Sequence, residues 1–326
     1  MTQIAEENST PTIDANDLEF ADLARLGKND WWRYVLSVVL FFGLGFVLNV
    51  VFSGLIWLVT GISPESIILG SGIDYSTREG TIRGLALLSL LMGSLIAFLI
   101  SARIVFPSLH ARGWRTFLTS AERFQRPVFL RSFLVTFGVL SSLTLAQLVV
   151  FPGTLEFVLQ PTAFLIFVPV VVFLTTFQVL AEEVVFRGYI LQTVGLMTRI
   201  FAIRLAVPAL LFAAAHGANQ EIATGGLWAV AIYVSMGFYL TFLVLRSAGI
   251  EEATGFHLAN NIFAFSVLGY AAGGFYFPTI LFDPSTIIDV FDFAMVVGAL
   301  GLHFLVLRSL ERRNTTTPFH VSNAPQ

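Results

Sequence analysis

Cysteine is absent from this chain of 326 residues, which removes disulfides, thiolate metal sites and cysteine nucleophiles from consideration and leaves the redox compartment unreadable. Charge is scarce as well: Asp, Glu, Lys and Arg make up 12% of the residues, and the formal net charge is −3. No basic run with interleaved aromatics occurs, so nothing recommends a nucleic-acid partner. The first 33 residues lack the basic start, apolar core and small-residue cleavage site of a secretory signal. They read instead as a polar acidic tail, with seven Asp or Glu against three Lys or Arg.

What is abundant is apolar: 56% of the residues are hydrophobic, and 33 are Phe. A soluble domain has no use for so much, and the chain reads as an integral multi-pass membrane protein. A helix needs about 20 apolar residues to cross the hydrocarbon layer. Eight such spans are predicted, over residues 34–60, 84–106, 132–152, 162–190, 203–219, 227–246, 254–273 and 289–307. The fifth is short and the fourth long enough to protrude. Because cytoplasmic loops retain Lys and Arg, the basic residues test this count. With the N-terminus inside, 16 of the 18 fall on the cytoplasmic side, leaving Arg78 and Arg83 outside. The expected fold is an all-α polytopic bundle of about eight transmembrane helices with both termini cytoplasmic. The stretch Asn16 to Leu26 has apolar residues at helical spacing and is expected to lie along the membrane or cap the bundle. The loop from Arg103 to Arg131, with six arginines and Trp114, is expected to anchor on anionic lipid. No inverted repeat relates the two halves, which counts against a transporter.

Three polar stations interrupt the grease. Residues 161–180 carry no charge, yet AEEVVFRGYI follows at 181–190. Glu183 and Arg187, four apart, lie within about 40° of each other on an ideal helix and can pair. Glu182 points roughly 100° away and is left for another task, with Gln178 one turn earlier on its face. The second station is His216, with Phe212 one turn before it; the third is His257 with Asn261, again one turn apart. Asn260 is expected to face elsewhere; His110 and His320 sit outside the spans, and His303 in the last span has no polar companion at helical spacing. An interfacial charge cluster, or a lone intramembrane His or Asn acting as an interhelical hydrogen-bond partner, is the ordinary explanation for each. Three stations on three spans, in a chain with so few polar residues, favour convergence on one site.

A carboxylate beside a histidine can orient and deprotonate a water, and a second histidine with an amide can donate to the oxyanion of an attacked peptide carbonyl. Glutamate with two histidines is equally an acceptable zinc set. Other intramembrane protease chemistries are missing their signatures: no H-E-x-x-H, no G-x-G-D, and no G-x-S-G, since Val51 stands where Ser53-Gly54 would need a glycine.

The ordered set Glu182-Glu183-x-x-x-Arg187, Phe212-x-x-x-His216 and His257-x-x-x-Asn261, within residues 160–265, resembles the three motifs of the CAAX protease and bacteriocin-processing family (CPBP, or Abi). The resemblance implies a membrane endopeptidase in which Glu182 activates water with His216 beside it. His257 and Asn261 then serve the oxyanion, and Glu183 with Arg187 forms a supporting ion pair. It implies a peptide or protein substrate, possible prenylation of that substrate, and a bacterial or archaeal cell membrane. The family has been described both as metal-independent glutamate proteases, which is favoured here, and as zinc enzymes, in which case Glu182, His216 and His257 are the ligands. The expected organisation is a tail (1–33), N-terminal membrane helices (34–158), a catalytic core (159–273), and a last helix with a basic tail (274–326). A non-catalytic immunity or scaffold protein and a proton-coupled transporter are the alternatives. One tension stands: a fourth span starting at Thr162 puts Glu182 about 30 Å along it, near the cytoplasmic edge, unless Pro169 kinks the helix or delays its start.

Overall fold

The computed structural model describes residues 18–63, 73–274 and 276–313. Its helices are α1 (Trp31–Thr60), α2 (Arg78–His110), α3 (Arg126–Val150), α4 (Pro161–Glu183), α5 (Gln192–Met197), α6 (Phe201–Ala215), α7 (Gln220–Leu245), α8 (Glu251–Ile262) and α9 (Val290–Arg313). A π-helical segment, Val184–Leu191, joins α4 to α5, and a second, Phe263–Val267, extends α8. The protein is therefore an all-α polytopic membrane bundle. Among the described residues, six helices are long and apolar enough to cross a membrane.

The two expected spans that fall short are the ones carrying histidine stations. α6 is 15 residues and stops at Ala215, before His216; α8 has 12 residues, and the chain beyond Val267 turns into a strand. Every residue from Glu251 to Ala259 is buried. A helix enclosed by protein need not match the bilayer, because its free backbone ends meet protein instead of lipid. Strand β1 (Glu156–Phe157) pairs antiparallel with β3 (Leu281–Asp283), which pairs parallel with β2 (Leu268–Tyr270). The small sheet thereby ties the loop before α4 to the segment after α8.

Apolar side chains point outward over much of the surface, Val59, Val149 and Leu165 among them, while the buried seams mix small and polar residues with large apolar ones such as Phe106 and Leu240. With lipid outside there is no hydrophobic gain in hiding Leu or Val, and close backbone approach drives association instead. Ser101 of α2, for example, donates to the Phe41 carbonyl of α1 at 2.8 Å. Gly237 of α7 makes such an approach possible: a Cβ there would lie 2.5 Å from the Ala209 carbonyl oxygen of α6.

α4, the π segment and α5 run together as 37 residues, Pro161–Met197, about 55 Å at helical rise against a hydrocarbon core of about 30 Å. The helix starts at Pro161 with Pro169 inside it, so a delayed start is not what positions Glu182. The carboxylate stands about midway along a helix much longer than the membrane is thick, and its distance from the N-terminal end says little about its depth.

The segment before α1 caps the bundle, as one of the two expectations held, though as a 3-10 helix (Phe20–Leu26). Phe20, Ala21, Leu23 and Ala24 are buried, and Asp22 pairs with Arg204 at 2.9 Å. Residues 1–17 and 314–326, which include Asn16, His320 and most of the two tails, lie outside the described residues. The expectation for the arginine loop needs correction at two positions. Arg112 is turned inward, bonding Gln192 at 2.5 Å and covering the Phe117 ring at 3.8 Å, and burial pushes its guanidinium down to about 10. Arg131 pairs with Glu311 at 3.3 Å. Arg103, Arg115, Arg123 and Arg126 are exposed and retain the charge such an anchor needs.

Gly237→Val should lower stability by about 1–3 kcal/mol through overpacking, read as a fall in the thermal unfolding midpoint in detergent. Gly298→Ala, where a Cβ meets nothing within 4 Å, should leave the midpoint unchanged or slightly raised.

Candidate active site

The end of α4 and the π segment after it carry the densest polar cluster. Glu183 and Arg187 are completely buried, and Glu182 is 8% exposed. Arg187 donates through Nη1 to Glu183 Oε1 at 3.0 Å and through Nη2 to the Gly237 carbonyl at 3.2 Å. Its guanidinium lies over the Phe212 ring at 4.7 Å. Pairing at this spacing is what the sequence predicted; the π geometry of the segment was not. Such wide turns commonly mark functional sites.

His257 joins the two glutamates. Its Nδ1 donates to Glu183 Oε1 at 2.8 Å, and its Nε2 lies 3.6 Å from Glu182 Oε2. Glu182 Oε1 accepts from Gln178 Nε2 at 3.3 Å, the companionship expected from one-turn spacing. The carboxylate of Glu182 thus faces the protein interior, fixed from its own helix and from α8.

His216 stands apart from this group. It caps α6 and is half-buried; among the described residues neither a hydrogen bond nor an ion pair links it to Glu182. Its Nδ1 donates to the Phe212 carbonyl at 2.7 Å, which leaves Nε2 as the other ring nitrogen. The Phe212 ring connects the two histidines, with centroids 4.5 Å from His216 and 5.8 Å from His257. Asn261 accepts from Asn260 Nδ2 at 3.1 Å through its side-chain oxygen. Asn260, about 100° around the helix, reaches its neighbour's amide, because pairing satisfies groups that apolar neighbours cannot. The Nδ2 of Asn261 is left for another partner.

His110 and His303 belong to packing. His303 lies between Tyr239 Oη at 2.6 Å and Ser132 Oγ at 3.4 Å, companions supplied by other helices.

Several buried polar atoms here have no protein partner: Glu182 Oε2, Gln178 Oε1, Thr175 Oγ1 and Ser266 Oγ. Each such group costs about 1–3 kcal/mol unless a water or a substrate group meets it. Thr175 escaped the sequence reading, although its place seven residues before Glu182 puts it on the same helix face. The usual bond of a helical threonine to the carbonyl four residues back is made by Thr176, Thr241 and Thr254 and not by Thr175. Ser266, on the π segment after α8, gave no sequence signal. For zinc, the donor set does not fit as arranged: among the described residues no group of three His, Asp or Glu side chains could hold a metal ion. His257 spends both nitrogens facing carboxylates, and His216 bonds the Phe212 carbonyl and neither glutamate.

Residues 163–263 match the family model described as Type II CAAX prenyl endopeptidase Rce1-like, a stretch that takes in all three stations and leaves out α1 to α3. This segment is similar to the CAAX protease and bacteriocin-processing family. The chain is also similar to "Uncharacterized protein YyaK" of Bacillus subtilis (strain 168), with 26% identity over 248 residues covering 73% of this chain and 78% of that protein. No solved structure matches. In CAAX protease terms, the glutamate pair, the arginine and both histidines lie on the matched segment, and the tail before α1 lies outside it.

Breaking the buried pair leaves a charge uncompensated. Arg187→Met should cost about 3–5 kcal/mol, measured by thermal or denaturant unfolding in detergent. Glu183→Leu combined with Arg187→Met should recover part of that stability while still lacking the His257 anchor.

Proposed function

We propose that the protein is an intramembrane endopeptidase that cuts a peptide bond with a water activated by Glu182. The observation that carries this reading is a buried carboxylate held between Gln178 and His257, with one oxygen still lacking a hydrogen-bond partner. It lies on a segment matched to a family of CAAX endopeptidases.

In this reading Glu182 takes a proton from water as the water oxygen bonds to the peptide carbonyl carbon. Negative charge moves onto the carbonyl oxygen, where the Nδ2 of Asn261 donates and His257, its Nδ1 bonded to Glu183, stands alongside. The carbon–nitrogen bond then breaks, the proton passes to the departing amine, and the products are a carboxylic acid and an amine. His216, its Nδ1 committed to the Phe212 carbonyl, keeps Nε2 for the water. No step is routed through a metal, because the donors do not converge. The substrate is a peptide or protein segment reaching the site from the membrane, prenylated or not, and the site opens toward the cytoplasm by the distribution of basic residues.

Purified protein should cleave a prenylated or an unprenylated peptide in the presence of chelator, and Glu182→Gln should lower kcat/KM by on the order of 10²–10⁴. Activity lost to chelator and restored by zinc would overturn the metal-free mechanism. Equal turnover by wild type and Glu182→Gln, or a cellular phenotype that survives that substitution, would overturn the hydrolase assignment in favour of a scaffold.

A further inference from the structure

Beyond His216 the chain turns back at once, with Asn219 N bonding the His216 carbonyl at 2.9 Å, and α7 opens on Gln220-Glu221. Glu221 is buried, and its carboxylate accepts a hydrogen bond from the hydroxyl of Tyr233, twelve residues on. Asn219 Nδ2 donates to the same hydroxyl at 2.8 Å and to Glu221 at 3.2 Å. In an unbroken helix a separation of twelve residues puts two side chains about 18 Å apart along the axis and about 120° apart around it, so this contact cannot form. It forms because α7 is broken at Gly226, whose φ of 51° and ψ of −126° suit glycine and not an L residue. The first turn folds back and Glu221 reaches past the break to Tyr233.

The opposite end of this arrangement is His216. The Tyr233 ring stacks on the imidazole, with centroids 4.5 Å apart and planes 24° from parallel, and Phe212 packs against the same imidazole at 4.5 Å. The histidine is thus clamped between two rings with one nitrogen bonded. An aromatic stacked on an imidazole needs no anchor of its own to fill space; a buried carboxylate and an amide converging on its hydroxyl fix where the ring lies.

We propose that Tyr233, anchored by Glu221 and Asn219 across the break at Gly226, is a positioning residue that sets the orientation of His216 for the reaction. The inference rests on the reading of His216 as part of the hydrolytic site. A misplacement of about 1 Å in such a group costs on the order of a hundredfold in rate, so the clamp acts on kcat and leaves substrate binding alone.

The test combines kinetics with the imidazole resonances of histidine-labelled full-length protein in detergent, His216 being assigned by its loss in His216→Ala. Tyr233→Leu should lower kcat on the order of a hundredfold with KM unchanged, and should cause no further loss when added to His216→Ala. Tyr233→Phe, which keeps the ring and releases the anchor, should cause a smaller loss of kcat. Gly226→Ala, where a Cβ meets nothing within 4 Å and only the backbone conformation opposes it, should shift the His216 resonances in the same direction as Tyr233→Phe. Losses that add independently to His216→Ala, or His216 resonances unmoved in both Tyr233→Phe and Gly226→Ala, would overturn the proposal. Should Tyr233→Leu fail to fold, those two variants carry the decision. If the wild type cleaves nothing, the hydrolase reading fails on its own account, and the resonances alone decide whether Tyr233 positions His216.

Discussion

The guanidinium of Arg187 is where the site is held together. From one completely buried position it bonds Glu183 on α4, the Gly237 carbonyl on α7 and, through its face, the Phe212 ring on α6. Glu183 in turn takes the Nδ1 of His257 on α8. Four helices are coupled through one cation and one carboxylate. Removing two charges from water is unfavourable, and an apolar replacement of similar volume can be as stable. What the ion pair supplies is direction: apolar contacts tolerate rotation of one helix against another, whereas a buried charge tolerates very few arrangements. Gly237 takes part twice, since the carbonyl that receives Arg187 belongs to the residue whose missing side chain lets α6 approach α7.

This coupling explains why the histidine-bearing helices are short. α8 is walled in by protein and has no lipid to match, and α6 ends at the turn that begins with His216. The long helices carry the exposed apolar surface, with α1 lined outward by residues such as Val47, Leu58 and Val59. Membrane residence falls mainly to these helices, although α6 also exposes Phe201, Leu210 and Leu211. The long helix through Pro161–Met197 serves both membrane residence and the polar site, and its excess length lets Glu182 sit in the protein interior instead of at a boundary.

How the polar stations would pair was partly legible. Glu183 with Arg187 and Gln178 with Glu182 follow from helical periodicity, which constrains residues one turn apart whatever surrounds them. Periodicity said nothing of the π turns after Glu183 and Ile262, which shift the faces of the residues that follow, or of the Phe212 ring that packs against both histidines. His303 looked unaccompanied because its partners, Tyr239 and Ser132, come from distant parts of the chain. Thr175 lay within reach of the same seven-residue argument that links it to Glu182, and an apolar surrounding hid it.

The sequence by itself determined that the protein lives in a membrane, where its long spans fall, and which polar residues share a helix face. Apolar content, span length and the 100° step are local quantities, written residue by residue. Only the tertiary structure decided that His257 touches both glutamates, that Arg187 reaches the Gly237 carbonyl, and that a break at Gly226 brings Glu221 to Tyr233. Those contacts depend on how helices rotate and approach one another, and that is settled by small residues, buried charges and backbone irregularities acting together across the chain.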